Sequence, residues 1–218
     1  MAYPIMLDLR GRLVVVIGGG HVAARKVTDL LREGAEVILI SPTLHPDLEA
    51  LAKRIEHHQT VYVAGMLTNM IQWDLNPLLV FAATDSHEVN RQIADEAHDL
   101  GILVNCADNG SGGDFSSMAT IRRCEITIAL ATGKTSPALA AHLRAKLEAE
   151  IGEEYATLAR WLGELRPLVK RSVKPESRRD LWRAIIASPA LDHLRSGDEA
   201  GARAIIDALI ADANNESD

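Results

Sequence analysis

Apolar residues in the first half of the chain fall in short, nearly unbroken runs, separated by amphipathic stretches. Leu13–Ile17 is a β-branched run with turn residues on both sides, which predicts a strand buried on both faces. After Gly18-Gly19-Gly20, the residues Val22, Ala23, Val27, Leu30 and Leu31 share one face of a predicted helix, and Gly34 stands where that helix should end. Glu36–Ile40 predicts a second strand, stopped by Ser41-Pro42, which completes a βαβ unit of ordinary length. Residues 48–55 then read as a helix, 61–63 as a short strand and 78–82 as another buried strand. Asp85 is the expected cap of the next helix, with Glu88 as its capping-box partner. Val89, Ile93, Ala97 and Leu100 line that helix, and Leu103–Cys106 is the strand after it. Alternating apolar strands and helices predict an α/β fold with a Rossmann-type parallel sheet.

The pattern changes at residues 109–113, a Gly-rich stretch that reads as a domain boundary. Two antiparallel strands are expected at 115–121 and 125–131, joined around Arg122-Arg123-Cys124. Ser136 suits an N-cap and Pro137 the first helical position after it. Beyond 151 the periodicity is helical, over 155–169, 175–186 and 199–211. The expected organisation is a Rossmann domain at 1–113, a small α+β domain at 114–150 and a helical C-terminal domain at 151–218. Two strands are too few for an independent sheet, so the middle part is expected to form a homodimer.

Composition narrows the function classes. The 218 residues are 47% hydrophobic and 24% charged, which excludes a disordered chain. A net charge of −7 argues against nucleic acid as a partner. No apolar run approaches membrane-spanning length, and residues 1–10 lack the pattern of a signal peptide. Two cysteines make no disulfide framework, so a cytoplasmic location is expected. The histidines are scattered, and no metal site is expected. Residues 160–183 hold eight basic against three acidic side chains, read either as an anion-binding band or as a solvated helix face.

Gly18-Gly19-Gly20-His21-Val22-Ala23 fits G-x-G-x-x-A between a strand and a helix. There Gly18 would make the tight turn, Gly20 would let the backbone approach a pyrophosphate, and Ala23 would let the helix pack closely. The helix N-terminus would hold the phosphates. The end of the second strand has neither an acidic residue for a ribose 2′-hydroxyl nor an Arg for a 2′-phosphate. It has Ser41-Pro42-Thr43, whose hydroxyls could bond the ribose, and NAD is the expected cofactor. Thr84 and Asp85 end the fourth strand, where they either line the cofactor crevice or only cap a helix. Asp108 follows the fifth strand, either as a proton acceptor beside the site of hydride transfer or as a solvated loop residue.

Taken together these motifs resemble the precorrin-2 dehydrogenase and sirohydrochlorin ferrochelatase family, the N-terminal part of sirohaem synthase. The resemblance rests on Gly18-Gly19-Gly20-x-Val22-Ala23-x-Arg25-Lys26, Ala82-Ala83-Thr84-Asp85, Val89-Asn90, Asn105-x-x-Asp108 and Thr132-Gly133-x-Thr135-Ser136-Pro137-Ala138-Leu139-Ala140. It implies NAD-dependent oxidation of precorrin-2 to sirohydrochlorin, with ferrous iron insertion as a second reaction in some members. It implies a catalytic role for Asp108 in both reactions, and homodimerisation. Where the family commonly has more apolar residues and a proline, this chain has Ser116-Ser117-Met118. Precorrin-2 carries many carboxylates, so cations and hydroxyls are expected at the tetrapyrrole: Arg122, Lys134, Thr135, Ser136 and His142, with Arg123 and Arg144 as further cations. The competing reading is a dinucleotide-sensing regulatory protein on the same scaffold, without turnover.

Overall fold

The structure is a computed structural model that describes residues 3–107, 112–133 and 135–215. The chain divides into two compact units, Met1–Ser117 and Met118–Asp218. The segments 114–150 and 151–218, expected as separate domains, lie almost wholly in the second unit.

The first unit is a five-stranded parallel sheet in the order β3-β2-β1-β4-β5. Its strands are β1 (Leu13–Ile17), β2 (Glu36–Ile40), β3 (Glu56–His58), β4 (Leu79–Ala82) and β5 (Leu103–Cys106). Its helices are α1 (His21–Arg32), α2 (Pro46–Glu49), α3 (Met66–Gln72) and α4 (His87–Asp99). Side chains alternate across each strand, and the core divides accordingly. Val14 and Val16 meet Ala23, Val27 and Leu30 of α1 on one face. Val15 and Ile17 meet Leu67 and Met70 of α3 and Ile93 and Ala97 of α4 on the other. The order of connection reverses between β1 and β4, which opens a crevice at their carboxyl ends.

Three expectations for this unit change. The helix expected over 48–55 is the short α2 followed by a 3-10 turn at Ala52–Arg54. The third strand is Glu56–His58, not 61–63, and Val61 and Val63 are exposed. An edge strand needs little apolar character because only one side pairs, so a polar Glu-His-His run escapes a hydrophobicity reading. The helix after β4 is capped by Ser86, whose hydroxyl accepts from Val89 N–H at 3.4 Å, rather than by Asp85.

In the second unit, β6 (Ala119–Arg123) and β7 (Ile126–Leu130) pair antiparallel through a two-residue turn at Cys124-Glu125. This pairing starts later than the strand expected at 115–121. Helix α5 (Pro137–Glu150) starts at the expected Ser136 cap, which accepts from Leu139 N–H. Helices α6 (Glu153–Ser172), α7 (Pro175–Ala187), α8 (Ala190–Arg195) and α9 (Glu199–Asn215) follow. Trp161, Leu165, Leu181, Ile185, Ala202 and Ile206 form their core. Helix α8 was not anticipated.

Candidate functional site

The carboxyl ends of β1, β2 and β4 border a cleft of about 680 Å³. The turn after β1 forms its floor, and its first two glycines are required by the fold. Gly18 has φ of +121°, and a Cβ there would lie 2.2 Å from the Ala83 carbonyl oxygen. A Cβ on Gly19 would lie 1.9 Å from the Thr43 carbonyl oxygen. Gly20 differs: it has an ordinary φ of −83°, and a Cβ there would meet nothing within 4 Å. That open space lies at the N-cap of α1. No side chain caps this helix, and no acidic residue stands in its first turn. Its first N–H groups and the positive end of its dipole are therefore available to an anion. The residues fit a dinucleotide diphosphate, because the third glycine leaves a cradle that any side chain would fill.

The cleft is lined by Gly18, Gly19, Gly20, His21, Val22, Ser41, Pro42, Thr84 and Asp85. Ala23 is fully buried against the sheet instead, as close helix packing requires. Ser41, the expected ribose-binding hydroxyl, lies at the cleft beside the glycine turn. It is 3% exposed, and its Oγ donates to the Thr43 carbonyl at 2.6 Å, so its proton is already engaged. Thr84 is held by Asn90, which is almost wholly buried. The Asn90 Oδ1 accepts from Thr84 N–H at 3.0 Å and Thr84 Oγ1 at 2.8 Å, while Nδ2 donates to the Thr84 carbonyl at 3.1 Å. This clamp fixes the chain where β4 turns away from the cleft.

Thr43 also lines the cleft, as do His45, Tyr62 and Ser86, which the sequence pattern does not single out. Tyr62 donates its hydroxyl to Glu96 at 2.5 Å, and Glu96 also accepts from Thr68 N–H and Oγ1 at 2.9 and 2.8 Å. Burial pushes the Tyr62 hydroxyl well above its usual pKa, and the Glu96 hydrogen bond adds to this. Burial also acts to raise Glu96, but hydrogen bonds from Tyr62 and Thr68 outweigh it and hold the carboxyl below its usual range. Only a long-range contact pairs Tyr62 with Glu96, so local patterning carries no trace of it.

Asp108 lies outside the described residues. Ala107 precedes it, and its N–H donates to the Ala82 carbonyl at 2.9 Å, at the carboxyl edge of the sheet. Further along, Asp114 takes the Val104 N–H at 2.9 Å and Asn105 donates to the Phe115 carbonyl at 2.7 Å. Lys26 then donates to Ser117 at 2.5 Å and lies over the Phe81 ring. Burial, with Arg25 nearby, lowers the pKa of the Lys26 ammonium. Ser117, one of the positions where the chain departs from the family pattern, thus anchors the end of this unit.

Among the expected substrate residues, Lys134 lies outside the described residues. Arg122 is half-buried on β6, and Thr135 and His142 are exposed. Ser136 holds the N-terminus of α5. Arg123 is structural: its guanidinium donates to the carbonyls of Ile151, Glu148 and Arg122, closing the end of α5. In the basic band, Arg178 likewise caps α6 through the Val173 and Lys170 carbonyls, both at 2.8 Å. Arg166, Lys170, Arg171 and Arg179 are exposed.

Comparison with known proteins agrees with this geometry. A family model described as "Sirohaem synthase dimerisation region" matches residues 154–210. The siroheme synthase of Chromobacterium violaceum is 39% identical over 212 residues, covering 96% of this chain and 44% of that protein. The siroheme synthase of Nitrosospira multiformis is 36% identical over 215 residues, covering 98% and 45%. The chain thus spans less than half the length of these curated relatives. The solved structure of SirC, precorrin-2 dehydrogenase, superposes with a TM-score of 0.76 at 25% identity, over 95% of this chain and 98% of that one. A model described as "Putative NAD(P)-binding" matches residues 5–119. That span is more than half of the chain and holds the whole glycine cleft, and the chain belongs to this NAD(P)-binding family.

Proposed function

We propose that the chain is an NAD-dependent precorrin-2 dehydrogenase that forms sirohydrochlorin for sirohaem synthesis. The observation that carries the reading is the open cradle at Gly20, on a chain that resembles SirC over nearly its whole length. Bound NAD supplies the hydride acceptor. The first turn of α1 holds the diphosphate through its N–H groups, and Gly20 keeps the approach clear. Thr84, clamped by Asn90, shapes the wall beside β4.

Oxidation sends a hydride to NAD and a proton to a base. Asp108 is the proposed base, since it follows the strand that ends at this sheet edge. Arg122, Lys134, Thr135, Ser136 and His142 are the proposed partners of the tetrapyrrole carboxylates. Ferrous iron is the proposed substrate of a second reaction, its insertion into sirohydrochlorin.

The proposed assembly is a homodimer through the second unit. None of the side chains of α5 is buried, and Leu139 is 48% exposed, as expected for a helix that awaits a covering surface. The match to a dimerisation region at 154–210 supports the same unit. The proposed setting is the cytoplasm. Cys106 and Cys124 form no disulfide, and among the described residues no helix is long and apolar enough to cross a membrane.

The test is Asp108→Ala. It should fold, dimerise and bind NAD, yet lose about 10²–10⁴-fold in precorrin-2 oxidation. Near-normal turnover in a folded variant removes Asp108 from the mechanism.

A further inference from the structure

The turn that builds the dinucleotide cleft also gathers three side chains that the proposed oxidation does not use. His21 opens α1, His45 precedes α2, and Asp47 lies in its first turn. Nothing in the spacing suggests a cluster. The fold makes one, because the His45 N–H donates to the Gly19 carbonyl at 2.7 Å and draws the loop after β2 onto the glycine turn. The His21 and His45 rings then stand edge to face, with centroids 5.5 Å apart.

One donor atom from each of His21, His45 and Asp47 lies within 4.8 Å of the other two. The His45 Nδ1 and Asp47 Oδ2 are 3.4 Å apart. Two ligands on one tetrahedral zinc, each bonded at about 2.0–2.2 Å, stand roughly 3.3–3.5 Å apart. This pair therefore already has the spacing of two ligands on a common ion. The His21 ring is exposed and can swing the remaining distance.

The His45 Nδ1 faces the Asp47 N–H at 3.3 Å, which asks it to accept, and the Asp47 carboxylate, which asks it to donate. A metal ion on Nδ1 would take that lone pair in place of the Asp47 N–H and would join the imidazole to the carboxylate. Among the described ion pairs, Asp47 is joined to His45 alone. Two imidazoles and one carboxylate suit zinc, cobalt or nickel rather than magnesium or calcium, whose sites are built from oxygen.

We propose that His21, His45 and Asp47 form a three-ligand site for a late first-row divalent cation at the lip of the dinucleotide cleft, with a position left for water or a phosphate oxygen. The site is separate from the proposed iron insertion, since it uses neither Asp108 nor the tetrapyrrole, and it should bind metal with no dinucleotide present.

The experiment is calorimetric titration of zinc chloride into the tag-free, chelator-treated full chain. One equivalent should bind with a dissociation constant below about 100 µM. His21→Ala, His45→Ala and Asp47→Asn should each weaken it at least about tenfold. His58→Ala, which removes a surface imidazole paired with Glu56 at 2.7 Å, should leave binding unchanged. Cobalt should give the visible absorption of a low-coordinate site in the wild type and lose it in His21→Ala. Because the His45 ring also caps α2, His21→Ala decides the matter if His45→Ala fails to fold. No saturable binding in that range, His21→Ala binding like the wild type, or loss of binding in His58→Ala overturns the proposal.

Discussion

Replacing Gly20 by Asp should separate the two tasks of the α1 N-terminus. The backbone there is extended, with φ −83° and ψ −175°, and the new side chain meets no atom within 4 Å. Asp is a favoured N-cap, a few tenths of a kcal/mol better than Gly, and its charge beside the helix dipole adds about 0.3–1 kcal/mol. The variant should therefore unfold at the same temperature as the wild type or a little higher. Dinucleotide binding should move the other way. The carboxylate would take the N–H groups that otherwise hold phosphate. At roughly 5 Å from a phosphate, in surroundings of effective dielectric constant about 20–30, the repulsion is about 2–3 kcal/mol. That weakens NAD by about 30–150-fold, and less at high salt. Calorimetric titration with NAD, beside thermal unfolding, reads both effects. An unchanged NAD affinity in a folded variant would refute the placement of the diphosphate at Gly20.

Gly18→Ala should instead lose more than about 2 kcal/mol of stability, because it forces a side chain at φ +121° into the Ala83 carbonyl; chemical denaturation measures it. Asn90→Ala should cost about 1–3 kcal/mol by leaving the half-buried Thr84 N–H without its partner, while the Thr84 hydroxyl keeps Ser86, and should weaken NAD as the wall beside β4 loosens; the same two assays apply. Glu96 has a folded pKa below its unfolded value, so its stabilising contribution is present at neutral pH and is lost as pH falls through the folded pKa. Glu96→Gln should be less stable at neutral pH and show a shallower loss of stability on acidification, measured by denaturation across that range.

The parallel sheet was legible because β1, β2 and β4 are buried on both faces and read as continuous apolar runs. The glycine turn was legible because backbone geometry restricts what can stand at Gly18 and Gly19. The stretch from 41 to 72 was not. Its strand is a polar edge, its exposed Val61 and Val63 imitate a strand, and α3 is only seven residues long. The same stretch brings His45 and Tyr62 to the cleft through contacts distant in sequence. The roles of the basic residues were not legible for a related reason. A sequence counts charges, but only packing distinguishes Arg123 and Arg178, spent on helix carbonyls, from cations that face solvent.

The most direct measurement is the stoichiometry of the reaction itself. The purified full chain is mixed with precorrin-2 and NAD under anaerobic conditions, and NADH and sirohydrochlorin are followed together by absorbance. The account predicts that one NADH appears for each sirohydrochlorin formed, with catalytic turnover that Gly20→Asp suppresses at limiting NAD. Tight binding of NAD with no NADH formed from precorrin-2 would contradict it and leave a dinucleotide sensor in its place.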